Sequence, residues 1–250
     1  MRFLTYNAGG LVGRGSVAQS KGDWLLSYLC NNGDVGALAV QETHCGESDQ
    51  FCQAVRDMGD RFSVVHSPAV DGDGYAGVML VISREFKVEE ERVLIGGRVM
   101  AVRVASVVYG YVMDLVVVYG YPMGRQEWLG EMADAVDVTV PTVVMGDFNF
   151  VTDVRDRDSD MMHEYDVRQA GRMGDVTGGL DLFDAYRLLH EADREYSFIG
   201  VGRSRIDRFY VDGLLAGRVK GCRCLPVLGR ETGHRMVELE TERDRERQAD

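Results

Sequence analysis

Proline is scarce, four residues in 250, and tryptophan scarcer, with two. No apolar run approaches the roughly 20 residues that a membrane-crossing helix needs, so no membrane partner is expected. The first residues also lack the charged-then-apolar layout of a secretory signal. Internal repeats and low-complexity tracts are absent, and thirty glycines against four prolines point to tight turns rather than linkers. At this length one α/β domain is expected rather than two, spanning 1–240, with 241–250 a charged tail or the start of a linker. Five cysteines without disulfide spacing favour a reducing, intracellular compartment. Cys222 and Cys224 have no second pair to complete a zinc site. Positive charge is in deficit, −12 net, which on its face argues against a polyanionic partner. The deficit is uneven, however. Residues 201–235 carry eight lysines and arginines against three acids, enough to permit local contact with a phosphate backbone.

What the chain does have is a succession of short apolar runs that end on polar residues. Strands are predicted over 2–7, 35–40, 61–66, 77–83, 98–106, 112–119, 140–145, 196–199, 204–212, 217–226 and 234–239. Turns are predicted at 71–74 and 96–97. Helical spacing marks 17–31, 48–58, 125–138 and 180–190, while 153–172 reads as helix or irregular surface. Two halves, each rich in strands and helices, suggest two packed mixed sheets flanked by helices, with the layer count left open.

The most informative stretch is Val143-Val144-Met145-Gly146-Asp147-Phe148-Asn149-Phe150. Its apolar run reads as a buried strand, and Gly146 as the point where the backbone turns at the strand end. In extended chain, residues i and i+2 share a side, so Asp147 and Asn149 can converge while Phe148 packs the other way. A carboxylate can orient or deprotonate a water, and an amide can donate to a phosphate oxygen. Asn7, Glu42, Asp207 and His234 stand likewise at the ends of apolar runs or within them. Taken singly, each has a plain structural explanation: a helix cap for Glu42, a hydrogen-bonded core histidine at 234, an ion pair from Asp207 to Arg205 or Arg208.

Their joint order is what carries meaning. Thr5-Tyr6-Asn7, Gln41-Glu42-Thr43-His44, the 118–119 strand end before Pro122, Gly146-Asp147-Phe148-Asn149, Ser204-Arg205-Ile206-Asp207 and Gly233-His234-Arg235-Met236-Val237 follow one another along the chain. That series resembles the endonuclease/exonuclease/phosphatase superfamily, which includes apurinic/apyrimidinic endonucleases. Within it, Gly97-Arg98-Val99, Asp156-Arg157 and the Phe209-Tyr210-Val211 that follows Asp207 look like the endonuclease domain of non-LTR retrotransposons.

The resemblance implies a four-layer αββα sandwich and a Mg2+-dependent enzyme, with Mn2+ as a possible substitute. Glu42 would bind the cation, with Asn7 beside it holding water or phosphate. Asp147 would orient or deprotonate the attacking water, Asn149 would hold a phosphate oxygen, and Asp207 would fix the tautomer of His234. Tyr119 would donate its phenol to the phosphate. The family's tyrosine stands two residues before proline, whereas here Tyr119 is three before Pro122 and Tyr121 is one before. His44, Arg157, Ser204 and Arg205 would contact double-stranded DNA, with Arg98 a weaker candidate. Two positions depart from the family pattern. Gly9 and Gly233 stand where relatives carry Asn or Asp and Asp, so a one-metal site held mainly by Glu42 is expected, with a raised Mg2+ requirement. The implied activity is single-strand nicking that leaves a 3′-hydroxyl to prime reverse transcription. The setting would be nuclear, in a polyprotein with a reverse transcriptase. A phosphomonoesterase of the same superfamily, or a non-catalytic nucleic-acid-binding module with a degraded metal site, are the alternatives.

Overall fold

The computed structural model describes residues 1–11, 16–45, 50–57, 59–70, 76–123, 125, 127–226 and 232–242. The turn expected at 71–74 and all of the charged tail from 243 onward lie outside these residues.

Two six-stranded mixed sheets face each other. In the first, β1 (Arg2–Asn7) runs parallel to β2 (Val35–Gln41), an arrangement that needs a crossover, and α1 (Ser16–Asn31) supplies it. The sheet is completed by β3 (Phe62–Ser67), β4 (Val78–Ser83), β13 (Val219–Cys224) and β14 (Val237–Thr241), in the order β13-β14-β1-β2-β4-β3. In the second, β7 (Val112–Tyr119) runs parallel to β8 (Thr142–Asp147) across α3 (Trp128–Ala133). With β5 (Phe86–Ile95), β6 (Val99–Ser106), β9 (Leu182–Asp184) and β12 (Asp207–Asp212) the order is β5-β6-β7-β8-β12-β9. A two-stranded hairpin, β10 (Phe198–Ile199) with β11 (Arg203–Ser204), stands apart from both sheets. The remaining helices are α2 (Gln50–Asp57), α4 (Glu164–Gly179), α5 (Ala185–Leu189) and α6 (Gly213–Ala216).

The pleat sorts the apolar residues into three layers of packing. Phe3, Ala37, Leu80, Met100, Leu115, Val143 and Phe209 lie between the sheets. Their neighbours Leu4, Leu38 and Met79 face outward onto Leu25 and Leu29 of α1 and Val55 of α2. On the other sheet Ala101, Val116 and Val144 face outward onto Trp128, Leu129 and Met132 of α3 and Met173 of α4. The molecule is thus an αββα sandwich, as the family resemblance implied.

Several local expectations change. The helix expected over 180–190 is divided: Leu182–Asp184 adds an edge strand to β12, and only Ala185–Leu189 is helical. Asp184 makes the division, its carboxylate accepting from the Tyr186 and Arg187 N–H groups as the N-cap of α5. The helix expected over 125–138 is confined to Trp128–Ala133. β5 runs through a segment to which the sequence pattern assigned no element; it is an edge strand with a bulge at each of two points along β6. Gly146 does not turn the chain. It stays within β8 at φ +149, where a Cβ would stand 1.9 Å from the Val118 carbonyl oxygen, so glycine is required by the close approach of β7. The turn comes at Asn149, φ +58.

Candidate active site

The topology gathers the polar residues at one rim. Parallel strands β1, β2, β7 and β8 bring their last residues there, and β12 and β14, antiparallel to their neighbours, bring their first. Tyr119 pairs in register with Asp147, and Asp147 with Asp207, across three adjacent strands. The pleat then directs them. Phe3, Thr5 and Asn7 alternate along β1, as do Leu115, Val117 and Tyr119 along β7, Val143, Met145 and Asp147 along β8, and Asp207, Phe209 and Val211 along β12. The apolar members of each row lie in the core between the sheets. The four polar residues therefore close that core at its carboxyl-end rim, where ligands of open α/β sheets bind.

Hydrogen bonds join the two sheets at this rim. The Asn7 amide donates to Glu42 Oε1 and to Asp147 Oδ2, each at 2.8 Å, and the Tyr119 phenol donates to Glu42 Oε1 at 2.8 Å. Asp147 Oδ1 accepts from the Asn149 N–H at 2.8 Å. Asn149 donates one amide hydrogen to the Gly120 carbonyl at 2.9 Å. His234 turns Nδ1 onto Asp207, at 3.2 and 3.0 Å from its two oxygens, and its Nε2 lies 3.8 Å from Asp147 Oδ2. Tyr121 points elsewhere. Its hydroxyl accepts from Arg125 and its carbonyl from the Tyr165 phenol, so the tyrosine at the site is Tyr119.

The electrostatics follow from burial. Asp147 and Asp207 are each 1% exposed. Desolvation, then the charge of Asp207, raises the pKa of Asp147, against the lowering influence of His234, Asn7 and the Asn149 N–H. For His234, burial pulls the pKa down, but Asp207, Asp147 and Glu42 more than reverse this and bring it to about 9. Burial and the adjacent Glu42 carboxylate push the Tyr119 phenol well above its ordinary value, so it remains a donor. Among the described residues no lysine or arginine forms an ion pair with Glu42, Asp147 or Asp207; only His44 and His234 face them. Two buried carboxylates and the half-buried Glu42, without a guanidinium or ammonium partner among the described residues, fit a divalent cation. Among the described residues Asp147, Asp207 and His234 form a group that could hold a metal ion, with ligand atoms within 4.8 Å of one another. Glu42 and Asn7, the pair expected to hold the cation, stand directly beside it.

The sequence profile of the endonuclease/exonuclease/phosphatase family matches residues 4–227, which is most of the chain. The chain belongs to this family. Among solved structures it is similar to an apurinic/apyrimidinic endonuclease from Archaeoglobus fulgidus, at 19% identity and a TM-score of 0.77, covering 97% of this chain and 99% of that one. It is similar also to an apurinic/apyrimidinic endonuclease from Leishmania major, at 18% identity and TM-score 0.79, covering 95% and 86%. A third is a 3′ phosphatase from Neisseria bound to a product DNA hairpin, at 19% identity and TM-score 0.76, covering 97% and 99%. No curated protein matches the chain.

Against this endonuclease/exonuclease/phosphatase frame, the residues expected to touch DNA are less evenly placed. Arg205 is 3% exposed, its guanidinium donating to both oxygens of Asp156 and both of Asp184 between 2.7 and 3.0 Å and lying over the Tyr186 ring. It is therefore an internal cation rather than a DNA contact. Ser204 is buried too, bridged to Arg157 by backbone pairing. The Arg157 guanidinium holds Asp166 at 2.6 Å. Arg98 is buried against the rings of Tyr119 and Tyr121, 4.5 and 4.1 Å from their centroids, and donates to the carbonyls of Tyr119 and Gly120. His44 alone of the set lies at the cation side, its Nε2 3.7 Å from Glu42 Oε2. The basic stretch 201–235 is largely compensated: Arg203 meets Asp158, Lys220 meets Glu242 and Arg223 meets Glu238, while Arg208 is internal, donating to Tyr210 and Phe150. Asp207 pairs with neither Arg205 nor Arg208: Arg205 is taken up by Asp156 and Asp184, and the strand's alternation sends Arg208 to the opposite face.

Three residues of the site were not anticipated. The buried Ser197 hydroxyl accepts the N–H groups of Ile206 and Asp207 at 3.1 and 2.9 Å, fixing the backbone that carries the carboxylate. Phe198 lies against the His234 ring at 4.8 Å, and Thr232 accepts the His234 N–H at 3.0 Å. Serine, phenylalanine and threonine in such roles have no distinctive spacing; contact across the fold, not sequence, reveals them.

Proposed function

We propose that this protein is a divalent-cation-dependent DNA endonuclease that nicks one strand of double-stranded DNA and leaves a 3′-hydroxyl. The observation that carries this reading is the closure of the inter-sheet core by Asn7, Tyr119, Asp147 and Asp207, with Glu42 and His234 completing the rim. The motif order further favours the endonuclease of a non-LTR retrotransposon, working in the nucleus, with the nick priming a reverse transcriptase carried in the same polyprotein. Mg2+ is the cation of this reading, with Mn2+ as substitute.

Asp147 is positioned as the base. Its carboxylate is held from one side by Asn7 and from the other by the Asn149 N–H, and its raised pKa brings proton uptake toward neutral pH. Water attacks phosphorus, its proton passes to Asp147, the bond from phosphorus to the 3′ oxygen breaks, and that oxygen takes up a proton to leave as a hydroxyl. His234, held as imidazolium by Asp207, directs Nε2 toward the same space and meets the growing phosphate charge. The remaining Asn149 amide hydrogen donates to a phosphate oxygen, and the Tyr119 phenol, whose one hydrogen rests on Glu42 before substrate binds, would turn it to another. A cation bound at Glu42, with Asn7 beside it, would neutralise phosphate charge.

Supercoiled plasmid incubated over Mg2+ and Mn2+ series, with the ends mapped, tests the proposal. Nicks with 3′-hydroxyl ends, lost in Asp147→Ala and in His234→Ala, are expected; cleavage unchanged in those variants refutes it. Salt-sensitive DNA binding without cleavage in any cation would make the protein a binding module. The neutralised basic stretch favours, as a second reading, a phosphomonoesterase acting on small phosphates, which turnover of an inositol phosphate without plasmid nicking would establish.

A further inference from the structure

We infer that His44 gives an imidazole nitrogen to the same cation as Glu42, and that the site consequently favours Mn2+ over Mg2+. The inference rests on the cation-dependent reading above and reverses its order of metals, placing Mn2+ ahead of Mg2+. The two oxygens of Glu42 are divided between tasks. Oε1 accepts from both Asn7 and Tyr119, whereas Oε2 is turned toward His44 Nε2 at 3.7 Å. That separation is long for a hydrogen bond. It suits two donors on one ion: with metal–oxygen and metal–nitrogen bonds of about 2.1 Å, cis to trans ligands stand roughly 3.0 to 4.2 Å apart.

The ring is oriented by the backbone around it. Gly10 has φ +92, and a Cβ there would stand 2.7 Å from His44 Nδ1, so glycine leaves the room that this edge of the imidazole occupies. The opposite nitrogen is thereby presented to Glu42. Glu42 and His44 both hold positive φ, +49 and +51, on either side of Thr43, and this sets their side chains together.

Among the described residues, other donors at this side are few. Gly9 and Gly233 offer no side chain, and a Cβ at Gly233 would lie 2.9 Å from Phe198 Cε2, so this chain has filled with an aromatic ring the space a ligand at 233 would need. The Asn7 amide nitrogen serves two carboxylates, and its oxygen accepts the Gly9 N–H at 3.0 Å. His44 is the donor that faces the open oxygen of Glu42. An imidazole nitrogen suits Mn2+ and later first-row ions, whereas Mg2+ prefers oxygen and retained water.

The test loads the full chain, stripped of cations, with Mn2+ and reads nitrogen hyperfine coupling by electron spin echo, alongside Mn2+ and Mg2+ affinities from titration. One imidazole coupling is expected, absent from His44→Asn. Asparagine tolerates the left-handed backbone at 44, and a thermal melt checks that the variant is folded. Mn2+ affinity should fall at least roughly tenfold in that variant, while Mg2+ affinity changes by no more than about threefold. No nitrogen coupling in the parent protein would overturn the inference. A coupling that survives in His44→Asn and vanishes in His234→Asn would also overturn it, by putting the ion on Asp147, Asp207 and His234; the nuclease reading would stand. Absence of Mn2+ binding would overturn both.

Discussion

Replacing Arg205 with methionine separates an internal cation from a DNA contact. Arg205 is sealed between Asp156 and Asp184, four hydrogen bonds within 2.7–3.0 Å, and its own N–H donates to the Asp156 carbonyl at 2.8 Å. Methionine fills comparable volume but leaves two carboxylates short of a partner. Asp156 retains Arg187, and Asp184 retains the α5 N-cap, so the loss is partial. Breaking a buried pair from one side costs about 3–5 kcal/mol. For a chain of this size that lowers Tm by about 6–20 °C. The acid limb should respond as well. Burial opposes ionisation of Asp156, but the charge of Arg205, with Arg208 and Arg187, holds its folded pKa below the ordinary carboxylate value. Its contribution is therefore present above about pH 3.9 and is lost as pH falls through the lower folded value. In Arg205→Met part of that contribution disappears, and acid unfolding should begin at higher pH. Urea denaturation at pH 7 and pH 4 measures both effects, and plasmid binding over a salt series measures the alternative. An unchanged denaturation midpoint, together with a salt slope reduced by about one, would refute the structural assignment and restore Arg205 as a phosphate contact.

Gly146→Ala should destabilise by more than about 4 kcal/mol, because its Cβ would meet backbone rather than a movable side chain; a soluble variant with near-parental denaturant midpoint would count against the close packing of β7 and β8. Ser197→Ala deprives two N–H groups of their acceptor and should cost about 2 kcal/mol or more. It should also lower kcat with little change in KM and shift the His234 titration followed by NMR; a loss of stability with neither change would reduce Ser197 to a packing role. In cation-free protein, the folded pKa of His234 lies above its ordinary 6.5, so its stabilisation is full below that pH and disappears as pH rises through about 9. His234→Asn should remove that slope from a pH series of thermal melts, and an unchanged slope would show that another group produces it.

The sequence pattern picked out the polar residues that gather at one rim better than it picked out the elements around them. Asn7, Asp147 and Asp207 were visible because each is a polar residue at one end of an apolar run, and a pleat of period two settles which face it takes; Tyr119 came from the family resemblance. That the rows meet was not visible in any local pattern: Asn7 and Asp147 are 140 residues apart and hydrogen bonded. Family resemblance supplied that step. β5 escaped because Glu89-Glu90-Glu91-Arg92 lacks alternation, and the exposed middle of this edge strand needs none. The 180–190 segment misled because Leu180, Leu182, Phe183 and Tyr186 mimic a helical stripe, while Asp184 serves at once as strand end, N-cap and partner of Arg205. The positive count over 201–235 misled in the same way, since charge is additive along a sequence but compensated in space.

The pairing of the first strand with the last has a use of its own. Met1 and Thr241 exchange hydrogen bonds through their backbones, Met1 N to Thr241 O at 2.7 Å and Thr241 N to Met1 O at 2.9 Å, on the side of the sandwich away from Asn7. A fluorophore, a surface tether or a fused protein attached at either point would project away from the rim that carries Asn7. On the proposed nuclease reading, single-molecule cleavage could then be watched on anchored protein whose candidate site stays open.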